Sequence, residues 1–125
     1  MFMKIKQTFF AGLLAAVVTV IAQTGLASTG QQNFEWYCAQ CHGLDGGGEG
    51  INSVDELPVG PMALSKAKEM IKFTDDQIVQ TITQGGPVNN LESLMPTWGL
   101  TLTEKEIKEL VRYVRSLCKE AECPK

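Results

Sequence analysis

The five residues Cys38-Ala39-Gln40-Cys41-His42 are the most informative stretch of this chain of 125 residues. Side chains three positions apart lie on the same side of a helical turn, so both thiols can face one ligand. Each thiol can add across one vinyl group of a haem, and the next residue then places an imidazole under the iron. The C-x-x-C-H spacing therefore predicts one haem c attached through Cys38 and Cys41, with His42 as the proximal iron ligand.

Other chemistries that use paired cysteines fit this stretch less well. A structural disulfide between Cys38 and Cys41 would not require a neighbouring histidine. A thioredoxin-like redox pair belongs with βαβ units, which the sequence does not indicate, and a zinc site needs four nitrogen or sulfur ligands. Cys118 and Cys123 could complete such a zinc set, but their spacing is not that of a zinc knuckle. Haem attachment is therefore the favoured interpretation.

The second axial ligand of such a haem is not a histidine, because His42 is the only histidine in the chain. The remaining possibilities for the second axial position are a methionine, a lysine, water or no ligand. Met70 has helical spacing with apolar neighbours and is expected in the core. Met95 lies in a loop before Pro96, which favours an extended backbone that can direct the thioether inward. We expect Met95 to bind the iron, with Met62 as the second candidate.

Capping signals and apolar spacing predict short helices and no strands. Thr74 and Thr103 each begin a capping box, completed three residues later by Gln77 and Glu106. The last helix is amphipathic, with apolar residues at positions 107, 110, 111, 114 and 117 and charged residues at 108, 109, 112 and 115. We expect helices over residues 31–41, 65–72, 75–84 and 104–117, with loops over residues 43–61 and 88–102.

Residues 1–27 have the pattern of a secretory signal peptide. Lys4 and Lys6 precede an apolar run over residues 9–22, and small residues surround a cleavage position after Ala27. The alternative is a retained membrane anchor, because residues 9–27 carry no charge and approach the roughly 20 residues that span a bilayer. We expect cleavage and a periplasmic domain over residues 28–125. Retention would leave the same domain anchored to the membrane and facing the periplasm.

The charge of the chain argues against nucleic acid as a partner. The sequence has 11 Lys and Arg residues against 14 Asp and Glu residues. Lys4 and Lys6 belong to the predicted signal, so residues 28–125 keep nine basic and 14 acidic residues, a formal charge of −5. Phosphates would repel such a domain. Export further excludes a cytosolic enzyme, and we expect membrane contact only if residues 1–27 are retained.

Residues 28–125 resemble class I monohaem cytochromes c of the small bacterial exported type. The matching residues are Gly30, Phe34, Cys38, Cys41, His42, Gly43, Gly46, Gly48, Pro61, Leu64, Ile82, Gly85, Met95, Pro96 and Tyr113. The resemblance implies an all-α cytochrome c fold, in which three to four short helices surround one covalently bound haem. It also implies that the first helix crosses the last one near Gly30, Phe34 and Tyr113.

The same resemblance implies roles for residues around the haem. His42 and Met95 would be the proximal and distal iron ligands, and the Pro61 carbonyl would accept a hydrogen bond from the second ring nitrogen of His42. Pro58 is the alternative acceptor. Trp98 would either pack at the haem edge and donate its indole N–H to a propionate, or pack in the core.

Cys118 and Cys123 lie outside any haem motif. Within one continuous helix, residues five apart point about 140° away from each other, so a bond between them requires the helix to end first. Export and the even number of cysteines favour a disulfide over two free thiols.

The resemblance implies a single-electron carrier that docks transiently with periplasmic redox proteins and catalyses no reaction of its own. One alternative is a haem subunit, or a membrane-anchored module, of a larger oxidoreductase complex. A haem sensor or peroxidase is less supported, because it needs an open sixth position that Met95 can fill and the chain has no second histidine.

Overall fold

The computed structural model describes residues 28–53 and 59–124, so the predicted signal peptide over residues 1–27 lies outside the described residues. The described residues form helices and no strand, which confirms the all-α class. The helices are α1 (Gly30–Asn33), α2 (Ala39–His42), α3 (Ala67–Met70), α4 (Asp75–Gln84) and α5 (Glu104–Leu117). A π-helical turn (Phe34–Cys38) joins α1 to α2, and a 3₁₀ turn (Gly86–Asn89) follows α4.

The first helical segment begins one residue before its predicted start and ends at His42. Its start has a capping box that the sequence reading missed, in which the Thr29 hydroxyl accepts the Gln32 N–H. The middle of the segment widens into the π turn, where the Ala39 N–H donates to the Phe34 carbonyl. All five residues of the motif, 38–42, therefore lie on one continuous helical segment.

Helix α5 is the longest helix of the described residues, and α1 and α4 pack against it. Thr103 and Glu106 form the predicted capping box, and Ile107, Leu110, Val111 and Val114 are buried along one face. The first helix crosses α5 at Gly30, where a Cβ atom would collide with the Glu109 carbonyl oxygen. Beside this crossing the rings of Phe34 and Tyr113 lie 5.4 Å apart. The crossing implied by the resemblance is thus confirmed.

Helix α4 has the predicted capping box at Thr74 and Gln77, and it ends at Gly85, whose φ is 88°. The chain then folds back along α4, where the Trp98 N–H donates to the Ile82 carbonyl over 2.9 Å. This return path carries residues 91–98 toward the motif. The predicted loop over residues 88–102 is confirmed except at its start, where the 3₁₀ turn extends to Asn89.

Arg115 joins α5 to the connection between α3 and α4. Its guanidinium donates to the carbonyls of Met70 (2.9 Å) and Phe73 (2.6 Å) and to the Asp75 carboxylate (2.8 Å). The position of Arg115 among the charged residues of an amphipathic helix predicts an exposed side chain, but only 14% of it is exposed. A long polar side chain at the margin of an apolar face can reach carbonyls on a neighbouring element, which spacing alone does not reveal.

The chain turns back directly after α5. Cys118 has an extended backbone, with φ −79° and ψ 111°, and its sulfur is bonded to that of Cys123. The two Cα atoms are 5.8 Å apart. Across the parts of the chain that the structure describes, no helix combines the length and apolar character needed to cross a bilayer.

Candidate functional site

A cavity of about 1130 Å³ opens beside the motif. This volume is slightly above the range for most small-molecule and cofactor sites, about 300–1,000 Å³. Its walls come from the first helical segment, from residues 59–63, from the start of α3 and from residues 91–98. The side chains lining it include all four candidate haem-binding residues: Cys38, Cys41, His42 and Met95.

Both cysteines of the motif lie on the cavity wall, and they are not bonded to each other. Burial, with a smaller contribution from Cys41, raises the pKa of Cys38 to about 12, whereas Cys41 is exposed. Within residues 28–53 and 59–124, no three His, Cys, Asp or Glu side chains converge to hold a metal ion directly. Cys38 and Cys41 nevertheless line the same cavity, as attachment to one cofactor requires.

The imidazole of His42 is fixed by one backbone contact. Its Nδ1 lies 3.0 Å from the carbonyl oxygen of Met62, and a carbonyl can only accept, so Nδ1 carries the proton and donates. Burial lowers the pKa of His42, opposed in part by this hydrogen bond. Nε2 of the neutral ring keeps its lone pair, which is the form that binds a metal.

The hydrogen bond of His42 corrects the expectation for Pro61. The acceptor is the carbonyl of Met62, one residue later, and the Pro61 carbonyl faces Gly48 instead. A Cβ atom at Gly48, where φ is +90°, would lie only 2.7 Å from the Pro61 oxygen. Gly48 also donates its N–H to the carbonyl of His42 over 2.8 Å. The Pro61 carbonyl can approach Gly48 this closely because glycine has no side chain. The carbonyl of the next residue, Met62, is the one that faces the His42 ring. Pro58 lies outside the described residues.

The three methionines in the described part of the chain occupy different positions. Met70 is 1% exposed and belongs to the core, as predicted. Met62 and Met95 are both partly buried and both line the cavity. The backbone of Met95 is held on both sides, since its N–H donates to Glu92 (3.2 Å) and its carbonyl accepts from Gly86 (3.2 Å). Gly85 and Gly86, which follow directly after α4, both lie against the Met95 carbonyl and so help to position this residue.

Trp98 lies between the cavity and the core, and its hydrogen bond to a propionate stays a prediction. It lines the cavity and also packs against the buried core. Its ring centroid lies 5.0 Å from that of Tyr37, a cavity residue that the sequence analysis did not identify. The position of Tyr37 directly before Cys38 is the signal that could have identified it.

The cavity fits a haem in shape and chemistry. Trp36, Val59 and Leu94 line it while exposing 60%, 56% and 60% of their surface, and a bound apolar ring would cover such side chains. Two thiols for covalent attachment, together with a neutral imidazole and a thioether as iron ligands, are the groups that c-type haem uses.

Known proteins resemble the chain at the level of family and fold. Residues 25–114 match the family described as cytochrome C oxidase, cbb3-type, subunit III. A solved structure named KustC0563 c-type cytochrome is similar with 27% identity and a TM-score of 0.58, covering 74% of this chain and 100% of that chain. A chain of the Kuenenia stuttgartiensis reducing HAO-like protein complex Kustc0457/Kustc0458 is similar with 29% identity and a TM-score of 0.60. That similarity covers 77% of this chain and 44% of that chain. No curated protein matches significantly.

Proposed function

The chain belongs to the cytochrome c family represented by subunit III of cbb3-type cytochrome c oxidase, and on this premise we propose that it is an exported single-electron carrier with His42 and Met95 as iron ligands. As a small monohaem cytochrome c, it holds its haem covalently. The proposed partners are periplasmic redox proteins that dock transiently, and the proposed role involves no catalysis.

One arrangement supports the proposal most directly. Cys38, Cys41, His42 and Met95 come from two separate segments of the chain, and all four line one cavity. Haem c supplies exchange of one electron between ferric and ferrous iron. The cysteines fix the ring by thioether bonds, while His42 offers Nε2 because Nδ1 is engaged by a carbonyl. An apolar wall and a thioether ligand both favour the ferrous form and raise the reduction potential.

The choice of Met95 over Met62 follows from the hydrogen bond of His42. The Met62 backbone is bound to the imidazole, which keeps this residue on the histidine side of the cavity. A ligand opposite His42 has to come from another segment, and Met95 is supplied by the chain returning from α4. We therefore assign the distal position to Met95.

A second candidate function is a haem subunit of a larger oxidoreductase complex. The matched family is named for an oxidase subunit, and one similar structure is a chain of a multi-protein complex. Native purification with measurement of the particle mass separates the two candidates. A stable heteromeric particle would support the subunit, and a monomer that reacts with soluble redox proteins would support the carrier.

The proposed location rests on residues 1–27 as a cleaved signal peptide. We expect the mature protein to begin at Ser28 and to appear in the periplasmic fraction. Intact mass measurement of the purified holoprotein checks the cleavage position. A mass that includes residues 1–27 in a membrane fraction would instead identify an anchor.

Absorption spectra and solvent extraction test the core of the proposal. The protein should give the spectra of a low-spin haem in both oxidation states, and acid–acetone should leave the colour with the polypeptide. Cys38→Ala or Cys41→Ala should lower the yield of holoprotein. Haem that moves into the organic layer from the unaltered protein would refute covalent attachment.

A further inference from the structure

The residues after α5 form a small closed loop beside the cofactor cavity. Cys118 and Cys123 are bonded, and within the loop the Cys123 N–H donates to the Glu120 carbonyl over 3.1 Å. We name residues 118–123 the C-terminal clasp. Because the loop is closed at both ends, the direction of the Glu120 side chain is restricted.

Glu120 connects the C-terminal clasp to the cavity rim. One carboxylate oxygen accepts the Ala67 backbone N–H over 2.8 Å, across 53 positions of sequence. The other oxygen lies 3.4 Å from Nζ of Lys66. Lys66 and Glu120 both line the cavity, although neither belongs to the motif or to the axial ligands.

The charges at this rim make Glu120 the counter-ion of Lys66. The cavity wall carries the cations Lys66 and Lys68 and the anions Glu69, Glu92 and Glu120. Glu69 pairs instead with Lys72, over 2.6 Å. The hydrogen bond from Ala67 lowers the pKa of Glu120, so its carboxylate is ionised at neutral pH.

We propose that the C-terminal clasp holds the Glu120 carboxylate as a fixed negative charge at the rim of the haem cavity, where it neutralises Lys66 and lowers the reduction potential. This inference rests on the proposed function as a haem electron carrier. Ferric haem has one more positive charge than ferrous haem, so a fixed anion nearby favours the ferric form. The same anion offsets the positive charge that Lys66 would otherwise present to a redox partner.

The test is the midpoint potential of the holoprotein in matched charge variants. Glu120→Gln should favour the ferrous form by about twofold in the ferric–ferrous equilibrium, a rise of about 18 mV at 59 mV per tenfold for one electron. Glu104→Gln is the control. It also removes an exposed carboxylate paired with a lysine, Lys108, but it lies outside the cavity lining, and its potential should equal that of the unaltered protein.

Two further variants separate charge from general disturbance of the rim. Lys66→Gln should lower the potential, and the double variant Glu120→Gln with Lys66→Gln should return it close to the original value. A disturbed rim without an electrostatic effect would not give shifts of opposite sign that cancel.

The role of the C-terminal clasp is tested by Cys118→Ser with Cys123→Ser. Opening the loop should release Glu120 and raise the potential in the direction of Glu120→Gln. If this variant keeps the original potential, the disulfide does not position Glu120. If Glu120→Gln and the control both show a haem couple with the same midpoint potential, the inference about the C-terminal clasp is refuted and the proposed function still stands. Absence of any one-electron haem couple refutes the proposed function as well.

Discussion

The carbonyl oxygen of Met62 lies 3.0 Å from Nδ1 of His42, which ties the motif to a segment 20 positions later in the chain. This contact fixes the tautomer of the ring and leaves Nε2 free to bind iron. A hydrogen bond of this kind also makes an imidazole a stronger donor to a metal. Met62 takes part in this contact only through its backbone carbonyl. We therefore assign to Met62 the support of the imidazole, and to Met95 the thioether that binds the iron.

The first prediction concerns the distal ligand. Met95→Ala should abolish the weak band near the red end of the oxidised spectrum that reports bonding between iron and methionine sulfur. Met62→Ala should keep that band, because alanine retains the carbonyl that His42 uses. Absorption spectra of the two oxidised variants provide the measurement. Loss of the band in Met62→Ala and its survival in Met95→Ala would reverse the assignment.

The second prediction concerns the crossing of the first helix over α5. Gly30→Ala should lower the free energy of unfolding by about 1–3 kcal/mol, because its Cβ would meet the Glu109 carbonyl and separate the two helices. Gly60→Ala is the control, since among the described residues, its two chain neighbours aside, no atom lies within 4 Å of a Cβ at that position. Denaturant titration of the holoproteins measures both. Equal stability of the two variants would mean that the crossing tolerates a side chain.

The helices were predictable because their signals are local. Capping boxes at Thr74 and Thr103 and the apolar spacing of α5 depend on residues within one or two turns. The motif over residues 38–42 is also local, because its two cysteines and its histidine lie within five consecutive residues and can reach the same cofactor. These features gave the helix positions, the fold class and the cofactor.

Contacts between distant segments were not predictable in the same way. The acceptor for His42 is Met62 and not Pro61, because the side-chain-free Gly48 receives the Pro61 carbonyl. Asn33 is another example, since it is 1% exposed on α1, where spacing alone does not distinguish a core position from a surface one. Such outcomes depend on which backbone atoms meet after folding.

The third prediction follows from the two arginines of α5. Arg115→Met should lower the free energy of unfolding by about 2 kcal/mol, because the carbonyls of Met70 and Phe73 lose their charged donor. Arg112→Met is the matched control on the same helix. Arg112 is 71% exposed and only 3.8 Å from Glu109, so its loss should change stability by less than about 0.5 kcal/mol. If the two variants unfold at the same denaturant concentration, Arg115 does not anchor the α3–α4 connection.

The fourth prediction concerns the thiols of Cys118 and Cys123. Non-reducing mass spectrometry of the holoprotein should detect no alkylatable cysteine, because these two form a disulfide and the motif cysteines form thioethers. A loop this short removes little conformational entropy from the unfolded chain, so the bond should contribute at most about 2 kcal/mol. Comparison of the unfolding of the unaltered protein with that of the double serine variant measures this contribution. Two alkylatable cysteines in freshly purified protein would contradict the bond.

The last prediction concerns the charge of the redox partner. Residues 28–125 carry a formal charge of −5, and haem propionates would add to it. Two of the lysines in this region have a carboxylate partner, because Lys66 pairs with Glu120 and Lys72 pairs with Glu69. We therefore expect a basic redox protein to react faster than an acidic one at low salt. That advantage should fade as the ionic strength approaches about 0.1 M, where the screening length is about 10 Å. Electron-transfer rates with one basic and one acidic redox protein, measured across a salt series, decide the matter. A faster reaction with the acidic protein at low salt would show that the lysine side chains at the rim, and not the net charge, control docking.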